Sequence, residues 1–181
     1  MTGETGKPLR KPPRKVTPAY LQRAAMAYLE RYASSADNLR RVLRRKVDKR
    51  CRLRGEDPAE FQDMIDEVVA RSLRSGLIDD TRYAEARVAT LRRRGGSARA
   101  IQAKLSAKGI DRSTIAAALE GEDSDEEQAA RAFARRRKLG PFRTGERAPY
   151  REKDLAAMAR AGFRFDVARS IIEGEVDDDE G

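Results

Sequence analysis

Apolar residues along this chain recur at intervals of three and four, with polar residues filling the positions between them. That spacing belongs to one buried face of a helix; a half-buried strand would alternate. Leu21, Ala24, Ala25, Tyr28, Leu29 and Tyr32 mark a first helix, opened by Thr17 as N-cap and Pro18 at the first helical position. Ser34 and Ser35 end it and cap a second, whose inner face carries Leu39, Val42, Leu43 and Val47. Gly55 breaks the pattern, and Asp57-Pro58 opens a third helix with Phe61, Met64, Ile65, Val68, Val69 and Leu73 inward. After Ser75-Gly76, Leu77 and Ile78 are expected to pack into the core. Asp79 or Asp80 caps a fourth helix reaching about Arg94, with Tyr83, Ala84, Val88 and Leu91 inward. Gly95-Gly96 stops it, and Ser97 caps a fifth with Ile101 and Leu105 inward. Lys108-Gly109 reads as a helix end with glycine in the left-handed conformation, followed by a sixth helix carrying Ile115, Ala118 and Leu119. The acidic stretch 120–127 leads into a seventh through Ala132, Phe133 and Arg137. Residues 139–151 read as a loop, and two last helices follow over 154–161 and 165–172.

The segments repeat. Residues 104–121 match 157–174, pairing Leu105 with Met158, Gly109 with Gly162, Ile110 with Phe163 and Leu119 with Ile172. Residues 28–43 match 90–105, pairing Leu29 with Leu91, Ser35 with Ser97, Leu39 with Ile101 and Leu43 with Leu105. The pattern predicts three units of three helices, over 17–76, 77–121 and 123–174. Each is too small to bury its own apolar face, so neighbours must stack. The expected fold is all-α: three tandem three-helix repeats in an elongated, curved array. A basic arm (1–16) and an acidic tail (175–181) flank it, both expected to be disordered, and deletion of the arm is expected to leave the fold intact.

Composition narrows the chemistry. Of 181 residues 38% are charged and 6% aromatic, and mean hydropathy is −0.77, so the core is thin. The chain has no histidine, which excludes Ser-His, Cys-His and His-ligated metal sites within it. Cys51 is the lone cysteine and fits a reducing, cytoplasmic compartment. Set among arginines, it reads either as a reactive thiol or as an incidental one. No stretch approaches the roughly 20 apolar residues of a membrane span, and the basic N-terminus lacks the apolar core of a secretory signal. Charge is uneven: residues 1–54 hold 16 Lys and Arg against 4 Asp and Glu, while 55–181 hold 23 against 26. A basic front points to a polyanion or an acidic protein surface, or else to a solvated face.

The second helix supplies the candidate contacts. Arg40, Arg44, Arg45 and Lys49 fall on one face, with Arg41 and Arg50 beside them. Arginine forks match carboxylate and phosphate oxygens. Arg92, Arg93 and Arg94 cluster at the Gly95-Gly96 turn, where some of them read equally as caps on helix carbonyls. Lys104 and Lys108 extend that set. Asp79-Asp80 is a close acid pair that reads as a metal or acid–base site, or as a helix cap. Gly95-Gly96 is no phosphate loop, since no Lys-Ser/Thr follows. Tyr20, Tyr28, Tyr32 and Tyr83 are spaced as core or groove residues, with base stacking as the alternative. No nucleophile–base pair, nucleotide loop or metal cluster is visible, so binding without a cofactor is expected in place of catalysis.

The same residues carry a family likeness. Residues 76–111, GLIDDTRYAEARVATLRRRGGSARAIQAKLSAKGID, resemble the central signature of RecX proteins: an apolar-Asp-Asp turn, an aromatic-Ala pair, a basic Gly-rich turn, and a helix ending in Lys-Gly-Ile. RAGF at 160–163 is similar to a turn of that family's third repeat. Tyr32 departs from the pattern, and the connector 45–58 and the loop 139–151 are long for it. The resemblance implies a three-repeat helical fold that binds RecA nucleoprotein filaments. It implies suppression of RecA ATPase, strand-exchange and coprotease activities in DNA repair and the SOS response. Contact with single- or double-stranded DNA, a monomeric state and no membrane association are expected with it. The alternative is a general nucleic-acid-binding helical protein.

Overall fold

The computed structural model describes residues 13–120 and 123–175. Among them the fold is all-helical, with nine α-helices and no strand. These are α1 (Pro18–Leu29), α2 (Ala36–Arg54), α3 (Gln62–Arg74), α4 (Asp80–Arg93), α5 (Ala98–Ser106), α6 (Arg112–Leu119), α7 (Asp123–Arg137), α8 (Arg151–Arg160) and α9 (Phe165–Glu173). The chain divides into two compact units, one ending at Ile78 and the other beginning at Asp79.

Short polar side chains set the helix starts. Thr17 accepts from the Tyr20 amide and Ser35 from the Asn38 amide, each at 3.2 Å. Asp79 accepts from the Arg82 amide at 3.0 Å, Ser97 from Ala100 at 3.2 Å and Asp111 from Thr114 at 2.8 Å. Each satisfies an amide that the first helical turn leaves without a partner.

In the first unit α1, α2 and α3 enclose Leu21, Leu39, Leu43, Val47, Ile65 and Val69. Asp57-Pro58 opens a short 3-10 turn (Pro58–Phe61) instead of the α-helix expected there, and α3 starts at Gln62. Phe61, at the end of that turn, is buried. Leu73 and Leu77, expected inward, are 42% and 45% exposed. They flank the turn in which the Gly76 amide donates to the Leu73 carbonyl at 3.0 Å. Ile78, whose amide donates to the Ser72 carbonyl at 3.2 Å, is the residue that enters the core. Tyr32 lies past the end of α1 and is exposed, its ring 5.2 Å from that of Tyr28.

The expectation of a disordered arm through residue 16 is corrected for its last four residues. Val16 is 2% exposed and belongs to the first core. Arg54 donates to the Pro13 carbonyl at 2.9 Å and Arg50 to the Arg14 carbonyl at 2.7 Å. The Arg50 guanidinium also lies 3.8 Å from the Tyr20 ring centre. A single valine in a basic, proline-rich stretch has no periodic partner, so patterning alone does not reveal it. Residues 1–12 of the arm and 176–181 of the tail lie outside the described residues.

In the second unit α4, α5 and α6 surround Ala84, Leu91, Ile101, Leu105 and Ile115. Helices α7, α8 and α9 surround Ala130, Leu155, Met158, Val167 and Ile171. α4 also packs on α7, so the two clusters share one body. Leu105 and its counterpart Met158 are both buried, as are Ile110 and Phe163. Gly109 and Gly162 have φ of 74° and 92°, the left-handed helix ends that their positions predicted. At Gly162 a β-carbon would stand 2.7 Å from Ser97 Oγ. The loop 139–151 contains two 3-10 turns, Gly140–Phe142 and Ala148–Tyr150, and α8 begins at Arg151, ahead of the expected residue 154. Asp154 is buried, accepting from the Gly140 amide at 2.8 Å and from Arg143 Nη2 at 2.6 Å. A carboxylate stays buried only with such partners.

Gly162→Val is expected to destabilise the protein by about 2 kcal/mol or more, because both the backbone angle and Ser97 oppose it. Urea unfolding checks this as a lower midpoint at unchanged slope. Removing residues 1–16 takes Val16 from the core and is expected to cost about 2 kcal/mol or more. A melting temperature equal to that of the full chain would contradict the docking of this segment.

Candidate interaction surfaces

Helix α2 carries its cations on two faces that differ in use. Arg40 Nε donates to Asp66 Oδ1 on α3 at 2.7 Å, and Arg44 Nη2 donates to Gln62 Oε1 at 2.8 Å. Gln62 Nε2 donates to Asp66 Oδ2 at 2.8 Å, which closes the cluster. Arg40 and Arg44, placed by their spacing in one stripe with Arg45 and Lys49, thus tie α2 to α3. Arg50 is engaged by Tyr20 and the Arg14 carbonyl. The other face runs Arg41, Arg45, Lys49, Arg52, all exposed, over about 16 Å of helix. Arg41 pairs with Asp37 one turn earlier. Arg45, Lys49 and Arg52, with Lys46 beside them, are in no ion pair with another described residue.

At the α4–α5 turn the three consecutive arginines diverge. Arg92 forms an ion pair with Glu126, each side chain 14% exposed. Glu126 also accepts from the Ala98 amide at 3.1 Å, and Arg92 Nη1 reaches the Gly96 carbonyl at 3.4 Å. Arg92 is therefore a structural tie. Arg93 and Arg94 are exposed, and the Arg94 carbonyl accepts from Arg136 Nη1 at 2.5 Å. Lys104 and Lys108 are exposed on α5 and in the turn after it. Arg131 and the run RRRK at 135–138, which are not among the candidates above, add a second set of cations to this unit. The run is itself a sequence signal, one that a basic helix end also produces.

The remaining candidates resolve into structural roles. Asp79 caps α4 and Asp80 is that helix's first residue. Among the described residues no group of three His, Cys, Asp or Glu side chains is placed to hold a metal ion. Cys51 is fully buried in the first core. Burial, and after it the Glu56 and Asp48 carboxylates, pushes its thiol up, which makes it a poor nucleophile. The Tyr28 hydroxyl accepts from Asn38 Nδ2 at 3.0 Å, and Tyr20 carries Arg50. The hydrogen bond from Gln62, and then the Arg40 guanidinium, hold the Asp66 carboxyl below the ordinary carboxylate range.

Comparison with known proteins adds four findings. A family model described as the second three-helix domain of RecX matches residues 79–119. The chain is 42% identical over 167 residues to "Regulatory protein RecX" of Myxococcus xanthus, covering 90% of this chain and 89% of that one. It is 35% identical over 133 residues to the protein of the same name from Agrobacterium fabrum, covering 72% and 71%. The crystal structure of RecX from Lactobacillus salivarius superposes with a TM-score of 0.64 at 22% identity, over 86% of this chain and 94% of that one, a likeness of fold.

Asp66→Asn is expected to lower the melting temperature near neutral pH. Because the folded-state pKa of Asp66 is depressed, its contribution is present above the ordinary carboxylate range and is lost as pH falls through the folded-state value. The gap between parent and variant should therefore close on acidification. A gap that is constant with pH would show that the carboxylate charge is irrelevant to the α2–α3 contact.

Proposed function

The chain belongs to the RecX family, and from that premise we propose that it restrains the RecA recombinase by binding its nucleoprotein filament. The expected consequences are inhibition of RecA ATPase, strand exchange and coprotease activity in DNA repair and the SOS response, in the bacterial cytoplasm. The protein acts by binding and needs no cofactor. The observation that carries this reading is the relative from Myxococcus xanthus, named a regulatory protein and matched over nine-tenths of both chains.

The α2 stripe of Arg45, Lys49 and Arg52 supports a contact role, since these side chains are exposed and stand apart from the ties that Arg40 and Arg44 make. Their forks and ammonium groups suit either RecA carboxylates or DNA phosphates. The protein contact is the favoured one, because the family premise concerns RecA. Of the residues singled out by sequence, Arg93, Arg94, Lys104 and Lys108 remain candidates for the same kind of contact in the second unit.

The test is RecA ATPase on single-stranded DNA, titrated with the protein. Inhibition is expected, and the triple change Arg45→Ala, Lys49→Ala, Arg52→Ala is expected to weaken it while leaving melting nearly unchanged. A RecA contact predicts little change in binding to naked DNA. A phosphate contact predicts a loss of about 0.7 to 0.9 in salt slope for each residue removed. A parent protein that leaves RecA ATPase untouched would overturn the proposal.

A further inference from the structure

Two hollows meet at the C-terminal end of α8. One, of about 370 Å3, lies between α8 and α5, and the other, of about 550 Å3, lies between α8 and the end of α7. They share Arg160 and Ala161, so together they form one furrow. Its floor is built of methyl groups, with Ala100 and Ala103 from α5 and Ala157 and Ala159 from α8. Gly162 keeps the first hollow open, since a β-carbon there would stand 3.2 Å from Arg99 Cβ and 3.6 Å from Arg99 Cδ. Arg99 and Arg160 stand on opposite walls of the first hollow, and Arg160 and Arg137 on opposite walls of the second. All three are exposed, and none is in an ion pair with another described residue. No Asp or Glu is among the described residues that line the furrow, so its charge is uncompensated. The Arg99 stem runs along Gly162, and the Arg137 guanidinium lies 5.9 Å from the Phe133 ring centre, which restrains both side chains.

Cations that alternate between two walls suit a chain whose anionic groups alternate as well. In an extended polypeptide successive side chains point to opposite sides. Aspartates and glutamates along such a segment reach both walls and accept from the arginine forks, while the backbone lies against the alanine floor. A single nucleic-acid strand fits less well, because its bases draw on open aromatic faces. Phe133 is the one aromatic ring among the described residues of the lining. It already has the Phe163 ring at 5.5 Å and the Arg136 and Arg137 guanidinium groups at 5.7 and 5.9 Å. We infer that the furrow around the end of α8 is a docking site for an extended acidic segment of a partner protein. The inference goes beyond the filament reading and does not rest on it: it concerns other helices than the α2 stripe, and its test contains no recombinase.

The probe is a fluorescein-labelled synthetic peptide of aspartate, glutamate and glycine, followed by anisotropy against the full chain at low salt. Binding is expected. The pair Arg99→Glu, Arg160→Glu should weaken it about tenfold or more. Ala103→Leu, which fills the floor and leaves the charge unchanged, should weaken it several-fold. The triple change Arg45→Ala, Lys49→Ala, Arg52→Ala removes more positive charge than Ala103→Leu does and should leave binding nearly as it was. Circular dichroism and melting identify any variant that fails to fold, and Arg137→Glu then replaces it at the other end of the furrow. No binding by the parent, or binding that every folded furrow variant leaves unchanged, overturns the proposal. Binding that falls with the α2 triple change as much as with the furrow pair also overturns it, as attraction to net charge alone. So does a thymidine oligonucleotide that binds more tightly than the peptide and responds to the same furrow variants. A gain of peptide affinity on removing residues 176–181 would overturn it too, making the chain's own acidic end the occupant.

Discussion

Burial of a narrow apolar stripe on each short helix is the interaction on which the rest of this structure depends. Helices of 8 to 19 residues do not persist alone in water. In a chain with 38% charged residues only a few large aliphatic side chains are available to each helix. The result is three small clusters, each centred on residues such as Leu43, Leu105 and Met158. Clusters this small leave the ends of the helices to be held by other means. That is why a polar side chain caps each of α1, α2, α4, α5 and α6, and why so much of the arginine content is bound within the molecule.

Arginine thus has two uses here, and charge alone does not separate them. Arg40 crosses from α2 to Asp66, Arg54 and Arg50 hold the incoming N-terminal segment, Arg92 meets Glu126, and Arg143 meets the buried Asp154. These contacts exploit the planar fork and the long apolar stem together. The cations left facing outward, Arg45, Lys49 and Arg52 on α2 among them, are the ones from which recognition can be built.

Helix positions and their starting caps were legible in the sequence because period and cap chemistry are local signals. Thr17, Ser35, Asp79 and Ser97 all cap where they were expected. The family was legible too, in the 76–111 signature. Which cations are available was not legible. Arg40 and Arg45 share a helix and a charge, and their difference depends on Asp66, which is 26 residues away in sequence from Arg40. Val16 and Asp154 were missed for the same reason: each is placed by partners distant in the chain. Leu73 and Leu77 erred the other way, since a turn between them turned both aliphatic side chains toward solvent.

Ser97 and Glu126 bear on how such a molecule can diversify. Ser97 caps α5 and also donates to the Ala161 carbonyl at the end of α8, at 2.6 Å. Glu126, from α7, completes the same helix start while neutralising Arg92. A copy made by duplication begins as an interchangeable module. Here α5 takes part of its N-terminal capping from residues that belong to the neighbouring cluster. Swapping either three-helix segment for its counterpart from a distant homologue would therefore strand a carboxylate or a hydroxyl at the seam. The second unit is thus a piece that exchanges as a whole, and a change at Glu126 takes a carboxylate from Arg92 and a cap from the Ala98 amide at once.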